Sequence, residues 1–139
     1  MIGPVKDDSF EVAKQLVKNH KLEGAIEFTG VLSKEKWHNK SKDFDIFINT
    51  TNFDNTPVSV MEAMALGLTI ISTNAGGIPY LIDNNFEGVL VDKNDPEQMA
   101  NAIIKLLKEN NQELSINARK KAESFSWEIV KEAWFSILK

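Results

Sequence analysis

The chain has 139 residues, the length of one ordinary domain and too short for two. Hydrophobic residues make up 42% and the formal net charge is −4, a composition typical of a packed globular protein. The acidic balance excludes a basic nucleic-acid footprint, and the lack of cysteine excludes disulfides, thiolate metal ligands and thiol catalysis. The amino terminus shows no secretory signal pattern, and no apolar run reaches the ~20 residues of a membrane span. We therefore expect one cytoplasmic domain that does not bind nucleic acid.

The first half of the chain alternates helical and extended segments. Apolar residues at helical spacing predict a first helix that ends near Gly24. Residues 25–29 predict a short strand, and residues 33–37 predict the start of a short helix. Residues 44–50 are rich in β-branched and aromatic side chains, as a buried strand is.

The second half repeats the alternation and then becomes helical. Residues 58–66 predict a helix that ends before Gly67, and residues 69–73 and 88–91 predict two further strands. A long helix is predicted to begin at Pro96, followed by helices at about residues 112–125 and 126–138. Strands that alternate with helices, and in which apolar and polar residues do not themselves alternate, predict an α/β fold with a parallel sheet.

The last predicted helix carries Trp127 and Trp134 on one stripe. Aromatic residues at helical spacing face the core more often than they form a stacking platform. We therefore expect both rings to pack in the core.

The loop that follows the strand at residues 44–50 is the best candidate site, since ligands bind beyond the carboxyl ends of parallel strands. Asp54 lies in this loop, and Glu62 follows eight residues later in the next helix. The amides of Val58 and Ser59 at the start of that helix would form an anion site. A carboxylate one turn into the helix can accept hydrogen bonds from the hydroxyls of a ribose.

Each of these features also has a purely structural explanation. The helix dipole alone favours acidic residues near a helix start, and Asp54 followed by Asn55 is ordinary turn chemistry. Against that explanation, Glu62 is flanked by apolar residues, where a solvated carboxylate is not expected. The pair Gly76 and Gly77 either makes a tight turn or permits close backbone approach to a ligand.

Ordered motifs run through nearly the whole chain: Phe-Thr-Gly at 28–30, Asp-Ile-Phe-Ile-Asn-Thr at 45–50, Asp54, Glu-Ala-Met-Ala-Leu-Gly at 62–67, Ile-Ile-Ser-Thr-Asn-Ala-Gly-Gly-Ile-Pro at 70–79 and Gly-Val-Leu-Val at 88–91. Together they resemble the carboxyl-terminal, nucleotide-sugar-binding domain of GT-B-fold retaining glycosyltransferases, the glycosyl transferase group 1 family. The resemblance implies a Rossmann-like parallel sheet flanked by helices, with residues 1–139 forming one partial donor-binding domain. It also implies transfer of a sugar from a nucleotide diphosphate to an acceptor hydroxyl with retention, in polysaccharide or glycoconjugate synthesis.

The hallmark of the family is a pair of glutamates separated by seven residues. The second corresponds to Glu62, for which the resemblance implies binding of the ribose hydroxyls. The first position holds the shorter Asp54, for which it implies a catalytic contact with the donor sugar near the reacting carbon. Where the family commonly has Gly-Phe-Gly, this chain has Asn55-Thr56-Pro57, and Pro57 has no amide proton to donate. The remaining predicted nucleotide-sugar contacts are Gly3, Gly30, Val31, Thr56, Val58, Ser59, Gly76 and Gly77.

Two parts of the family's pattern have no counterpart in this sequence: the first strand with its arginine and lysine, and the amino-terminal acceptor domain. Residues 1–3 resemble the end of the second strand. The sequence is therefore expected to be a fragment, or a reading frame begun at an internal methionine, and to be inactive alone. The missing strand would leave one edge of residues 45–50 unpaired. We expect closure by residues 1–3 or, preferably, self-association through that strand.

The resemblance implies a UDP- or GDP-sugar donor as substrate, with no resident cofactor and no metal. The acceptor, a sugar or a lipid-linked molecule, would bind the amino-terminal domain of the complete enzyme in the cytoplasm or at the inner face of the membrane. Two alternatives stay open: an epimerase or phosphorylase of GT-B architecture, and a non-catalytic nucleotide-sugar-binding or interaction module. No segment offers the pyridoxal-phosphate lysine that a phosphorylase needs.

Overall fold

The computed structural model describes residues 1–109 and 111–138, and the chain divides into two compact units, Met1–Lys40 and Ser41–Lys139. Helix α1 spans Ser9–Asn19 in the first unit. Helix α2 spans Lys34–Ser41 and so ends at the first residue of the second unit. The predicted end of α1 near Gly24 is wrong. Lys21 adopts a φ of +56° and the amide of Leu22 donates to the carbonyl of Val17 at 2.9 Å, which closes the helix earlier.

Residues 25–29, predicted as a strand, do not form a regular strand in the structure. They run beside the amino terminus instead, where the amide of Thr29 donates to the carbonyl of Met1 at 3.0 Å. The amide of Gly3 donates to the carbonyl of Gly30, also at 3.0 Å. These bonds do not continue as a regular ladder, so the predicted strand at residues 25–29 is wrong.

The second unit contains a three-stranded sheet flanked by helices, which confirms the predicted α/β class. The strands lie in the order β1-β2-β3 and both pairings are parallel, with Ile48 opposite Ile71 and Ile71 opposite Val89. The elements of this unit are β1 (Ile46–Asn49), α3 (Val58–Ala65), β2 (Thr69–Thr73), α4 (Ile78–Leu81), β3 (Gly88–Val91), α5 (Pro96–Lys108), α6 (Gln112–Ser124) and α7 (Trp127–Ile137).

Local signals set the helix ends in this unit. Helix α3 ends at Ala65, and Gly67 takes a φ of +79°, as the sequence predicts for a glycine after a helix. Helix α5 begins at Pro96 because Asp95 caps it, its Oδ1 accepting from the amide of Gln98 at 2.8 Å.

The central strand β2 is buried along its whole length. Ile71 packs with Val91 of β3 and with Met99 and Leu106 of α5. Ile70 points to the opposite face of the sheet and is also inaccessible. Apolar side chains therefore cover both faces of β2, which is why two isoleucines, Ile70 and Ile71, stand next to each other instead of alternating with polar residues.

Helix α7 differs from its sequence prediction, because none of its side chains is buried. Trp127 is 61% exposed and Trp134 is 56% exposed, so the expected core packing of this stripe is wrong. Helical spacing identifies an apolar face but does not identify what covers it. Among the described residues, no helix is long and apolar enough to cross a membrane.

Candidate functional site

Two loops meet at the carboxyl edge of the sheet in the second unit. One follows β1 and contains Asp54, and the other follows β2 and contains the glycine pair. The amide of Gly77 donates to the carbonyl of Asp54 at 2.8 Å, and the hydroxyl of Thr73 donates to the carbonyl of Thr51. These bonds join the loops where parallel-sheet proteins bind ligands.

The glycine pair is needed for this close approach. A Cβ at Gly76 would lie 2.1 Å from the carbonyl oxygen of Asp54, and a Cβ at Gly77 would lie 1.7 Å from that of Asn55. Gly76 also has a φ of +55°, which L side chains rarely adopt. Both glycines are therefore explained by packing inside the protein, because the backbone that approaches them is that of the loop containing Asp54.

Polar side chains at the ends of β1 and β2 strengthen the same edge. The side-chain amide of Asn49 donates to Oγ of Ser72 at 3.1 Å, next to Thr73. Asn49, Ser72 and Thr73 were not among the predicted site residues. A signal was present in the sequence, because each is a polar residue in the last two positions of a strand, where a buried polar group needs a partner.

Glu62 lies in the second turn of α3 and is half-buried. Val60, Ala63 and Met64 on the same helix have no exposed surface. The carboxylate therefore stands at the border of the apolar core, in the setting that its sequence neighbours predict.

The amino terminus of α3 faces solvent. Val58 and Ser59 are exposed, and the first helical bonds run from the amides of Val60 and Met61 to the carbonyl of Pro57. Pro57 is the N-cap residue and has no side-chain oxygen to cover the amides of Val58 and Ser59. These two amides lie at the positive end of the helix dipole, which is where the sequence predicts an anion site.

The structure brings the predicted residues into two groups, one in each unit. In the first unit, Gly3 and Gly30 are joined by their backbone hydrogen bond, and Val31 beside them is 72% exposed. In the second unit, the loop with half-buried Asp54 and exposed Thr56 leads into α3, and its backbone packs against the glycine pair. Within the described residues, no three His, Asp or Glu side chains form a group that could hold a metal ion.

Two clefts of the second unit lie away from this edge. One, of about 560 Å³, is lined by Phe44, Asp45 and Arg119 and opens near the amino ends of β1 and β2. The other, of about 370 Å³, lies between β3 and the helices α5 and α6. Because neither is lined by the loops that carry Asp54 and Gly77, they are alternatives to the predicted site and not parts of it.

Comparison with known proteins reveals one family. The sequence pattern of the family described as Glycosyl transferases group 1 matches residues 1–124. AmsK of Erwinia amylovora, named as an amylovoran biosynthesis glycosyltransferase, is 29% identical over 99 residues, which cover 67% of this chain and 24% of that protein. The chain spans about a quarter to a third of the length of the curated relatives that it matches first.

Solved structures share the fold over nearly the whole chain. Sucrose-phosphate synthase from Thermosynechococcus elongatus has a TM-score of 0.85 at 21% identity, over 99% of this chain and 36% of the other. HepE of Anabaena, solved in complex with UDP-glucose, also has a TM-score of 0.85, at 19% identity over 99% of this chain and 39% of the other. These neighbours are GT-B glycosyltransferases, so the predicted fold is confirmed.

Proposed function

Because this chain belongs to the glycosyl transferases group 1 family, we propose that it is the donor-binding part of a retaining glycosyltransferase. The proposed reaction moves a sugar from a nucleotide diphosphate sugar to an acceptor hydroxyl and keeps the configuration of the anomeric carbon. The observation that carries the proposal is the edge where the Asp54 loop, the glycine turn and the exposed start of α3 meet.

Each part of this edge has a proposed role in holding the donor. Glu62 accepts hydrogen bonds from the ribose hydroxyls, since a half-buried carboxylate is a strong acceptor for paired hydroxyls. Asp54 contacts the donor sugar near its reacting carbon. The amides of Thr56, Val58 and Ser59 face the phosphates and the sugar.

The remaining predicted contacts belong to the same proposed donor site. We assign the backbone of Gly30 and Val31 to the nucleobase and Gly3 to the neighbouring part of the nucleotide. Gly76 and Gly77 border the donor through the loop that they support. Support for a nucleotide donor also comes from HepE, a structural neighbour solved with UDP and with UDP-glucose.

The start of α3 would contribute to catalysis through its charge. Departure of the nucleotide diphosphate leaves negative charge on the phosphate oxygens. Amides already aimed at that position stabilise the charge without reorganising, which is often the largest single term in catalysis. The helix dipole acts in the same direction at the exposed ends of Val58 and Ser59.

The wider setting is also part of the proposal. We place the acceptor, a sugar or a lipid-linked molecule, on a further domain of a longer enzyme, in the cytoplasm or at the inner face of the membrane. The relative AmsK, named for amylovoran biosynthesis, supports a role in polysaccharide synthesis.

Calorimetric titration of the 139-residue chain with UDP, UDP-glucose, GDP and GDP-mannose tests the donor-binding role. We expect saturable binding of one nucleotide and of its sugar conjugate. Failure to bind any of the four would contradict the proposal. Binding without transfer in a longer protein that contains this chain would favour the non-catalytic module instead.

A further inference from the structure

The geometry points to Thr73 as a positioning residue: through Thr51, and together with the turn at Gly76 and Gly77, it holds Asp54 where the donor sugar is recognised. This inference rests on the proposed function, since the effect on the sugar passes through Asp54. It predicts that the carboxyl end of β2 affects recognition of the sugar more than recognition of the bare nucleotide.

Two hydrogen bonds hold the loop that contains Asp54, one at Thr51 and one at Asp54 itself. The hydroxyl of Thr73 donates to the carbonyl of Thr51, and the amide of Gly77 donates to the carbonyl of Asp54 at 2.8 Å. Between these points, the hydroxyl of Thr51 donates to the carbonyl of Phe53 at 3.0 Å. The backbone that carries Asp54 is therefore fixed by donors that lie outside the loop itself.

Those outside donors are themselves rigidly placed. Thr73 is the last residue of the buried strand β2, is 5% exposed and is paired with Val91. The ladder continues one residue farther, because the amide of Asn74 donates to the carbonyl of Val91 at 2.7 Å. Beyond the turn, Ile78 has no exposed surface. The sheet and the core thus define where Thr73 and Gly77 stand.

Steric fit completes the arrangement. The carbonyl oxygens of Asp54 and Asn55 occupy the positions where side chains would stand at Gly76 and Gly77. The loop therefore cannot shift toward the turn, and the hydrogen bonds prevent it from moving away. A half-buried carboxylate on a backbone held in this way needs no reordering to meet a sugar, which favours tight recognition.

The test compares affinities for UDP and UDP-glucose, and for GDP and GDP-mannose, in the 139-residue chain. Thr73→Val keeps the shape of the side chain and removes the hydroxyl. We expect it to lower affinity for the sugar conjugate by about three- to tenfold, the value of one hydrogen bond, and affinity for the bare nucleotide by less than about twofold. Thr73→Ser should restore the parent ratio.

Thr69→Val is the matched control. Thr69 is a buried threonine on the same strand whose hydroxyl donates to Oδ1 of Asn111, at the opposite end of β2. We expect Thr69→Val to lower stability and to leave the ratio of the two affinities unchanged. The same change in that ratio for Thr69→Val and Thr73→Val would overturn the inference, since strand stability would then explain it.

A double-mutant cycle tests whether the effect passes through Asp54. Once Asp54→Asn has removed the sugar contact, Thr73→Val should cost little more affinity for the sugar conjugate. Full additivity of the two changes would overturn the inference.

Amide hydrogen exchange separates this inference from the proposed function. If the parent chain binds none of the four ligands, the proposed function fails, and the role of Thr73 as an anchor of the loop is still measurable. Thr73→Val should then accelerate exchange at the amide of Gly77 and shift the resonances of Asp54 and Asn55, and Thr69→Val should not. Unchanged exchange and resonances in Thr73→Val would overturn the inference.

Discussion

A single carboxylate, Glu62, is the residue on which nucleotide binding depends most in this account. It is half-buried beside the inaccessible Ala63 and Met64, so hydrogen bonds to its charge form close to the apolar core, where they are stronger than in water. Hydrogen bonds to charged groups are worth roughly 1.5–3 kcal/mol, so Glu62→Gln should weaken nucleotide affinity by about tenfold or more. Calorimetry measures this effect. Glu97→Gln, an exposed first-turn variant of α5, serves as the control, and equal affinity in both variants would refute the role of Glu62.

Asp54 carries a different prediction, because its proposed contact is with the sugar and not with the nucleotide. In a glycosyltransferase that contains this chain, Asp54→Asn should lower kcat by about 10²–10³, as removal of a charge-stabilising group does. Binding of the free nucleotide diphosphate should stay nearly unchanged. Steady-state kinetics combined with titration of the nucleotide tests both halves. A large loss of nucleotide affinity would place Asp54 at the ribose or the phosphates, and Asp54→Glu should retain part of the activity.

Residues with a chemical role were easier to predict than residues that position them. Carboxylates near a helix start and paired glycines stand out in a sequence because their alternatives are few. Thr73 and Asn49 were missed because a polar residue at a strand end is compatible with solvent exposure. Only the packed structure shows that Thr73 bonds to the loop after β1 and that Asn49 bonds to Ser72 of the neighbouring strand.

At the scale of elements, the segment between α4 and β3 is tied to α6 by charge. Glu87 is buried, and its carboxylate accepts from the amide of Asp83 at 2.7 Å and lies 3.3 Å from Nζ of Lys121. Asn117, one turn earlier on α6, donates to the carbonyl of Phe86 at 3.2 Å. Helix α6 therefore holds the start of β3 in place through side chains as well as through packing.

Removal of Lys121 should destabilise the fold, because the buried carboxylate of Glu87 would lose its charged partner. We expect Lys121→Met to lower the free energy of unfolding by roughly 1.5–3 kcal/mol, because Glu87 loses a charged partner. Lys131→Met is the matched control, since its ion pair with Glu128 lies at the surface and is worth at most about 1 kcal/mol. Urea unfolding of both variants compares the two losses. Equal losses would show that the Glu87 pair does not anchor the segment.

Elements with strong local signals were predicted well, and elements that depend on distant partners were not. Gly67 and Asp95 mark helix ends through local backbone chemistry, so the ends of α3 and the start of α5 follow from the sequence. Residues 25–29 do not form a strand, because a strand requires a regular ladder with a partner segment and the hydrogen bonds made here to Met1 and Gly3 are irregular. The exposure of α7 was likewise not predictable, since burial depends on what the rest of the fold leaves uncovered.

At the scale of the whole molecule, the edge of the sheet at β1 is the feature with the clearest consequence. Within the described residues, β1 pairs with β2 on one side and with no further strand on the other. Ile48 on this strand is 44% exposed. An apolar edge strand is a template for pairing with another chain, so self-association through β1 remains our expectation.

Light scattering on the purified chain tests this expectation. The parent should form dimers or larger species, and Ile48→Lys should shift the distribution toward monomer because a lysine on an edge strand opposes pairing. Ile104→Lys places the same charge at a residue of similar exposure, 48%, on α5 and should leave the distribution unchanged. A monomeric parent chain would contradict the expectation.

The central claim is that the donor binds at the carboxyl edge of the sheet, and mapping the bound ligand by NMR tests it most directly. We expect that titration with UDP-glucose, or with GDP-mannose if that donor is preferred, shifts the backbone resonances of Asp54, Val58, Ser59 and Gly77. Shifts confined to Phe44, Asp45 and Arg119, which line the cleft at the opposite edge, would contradict it.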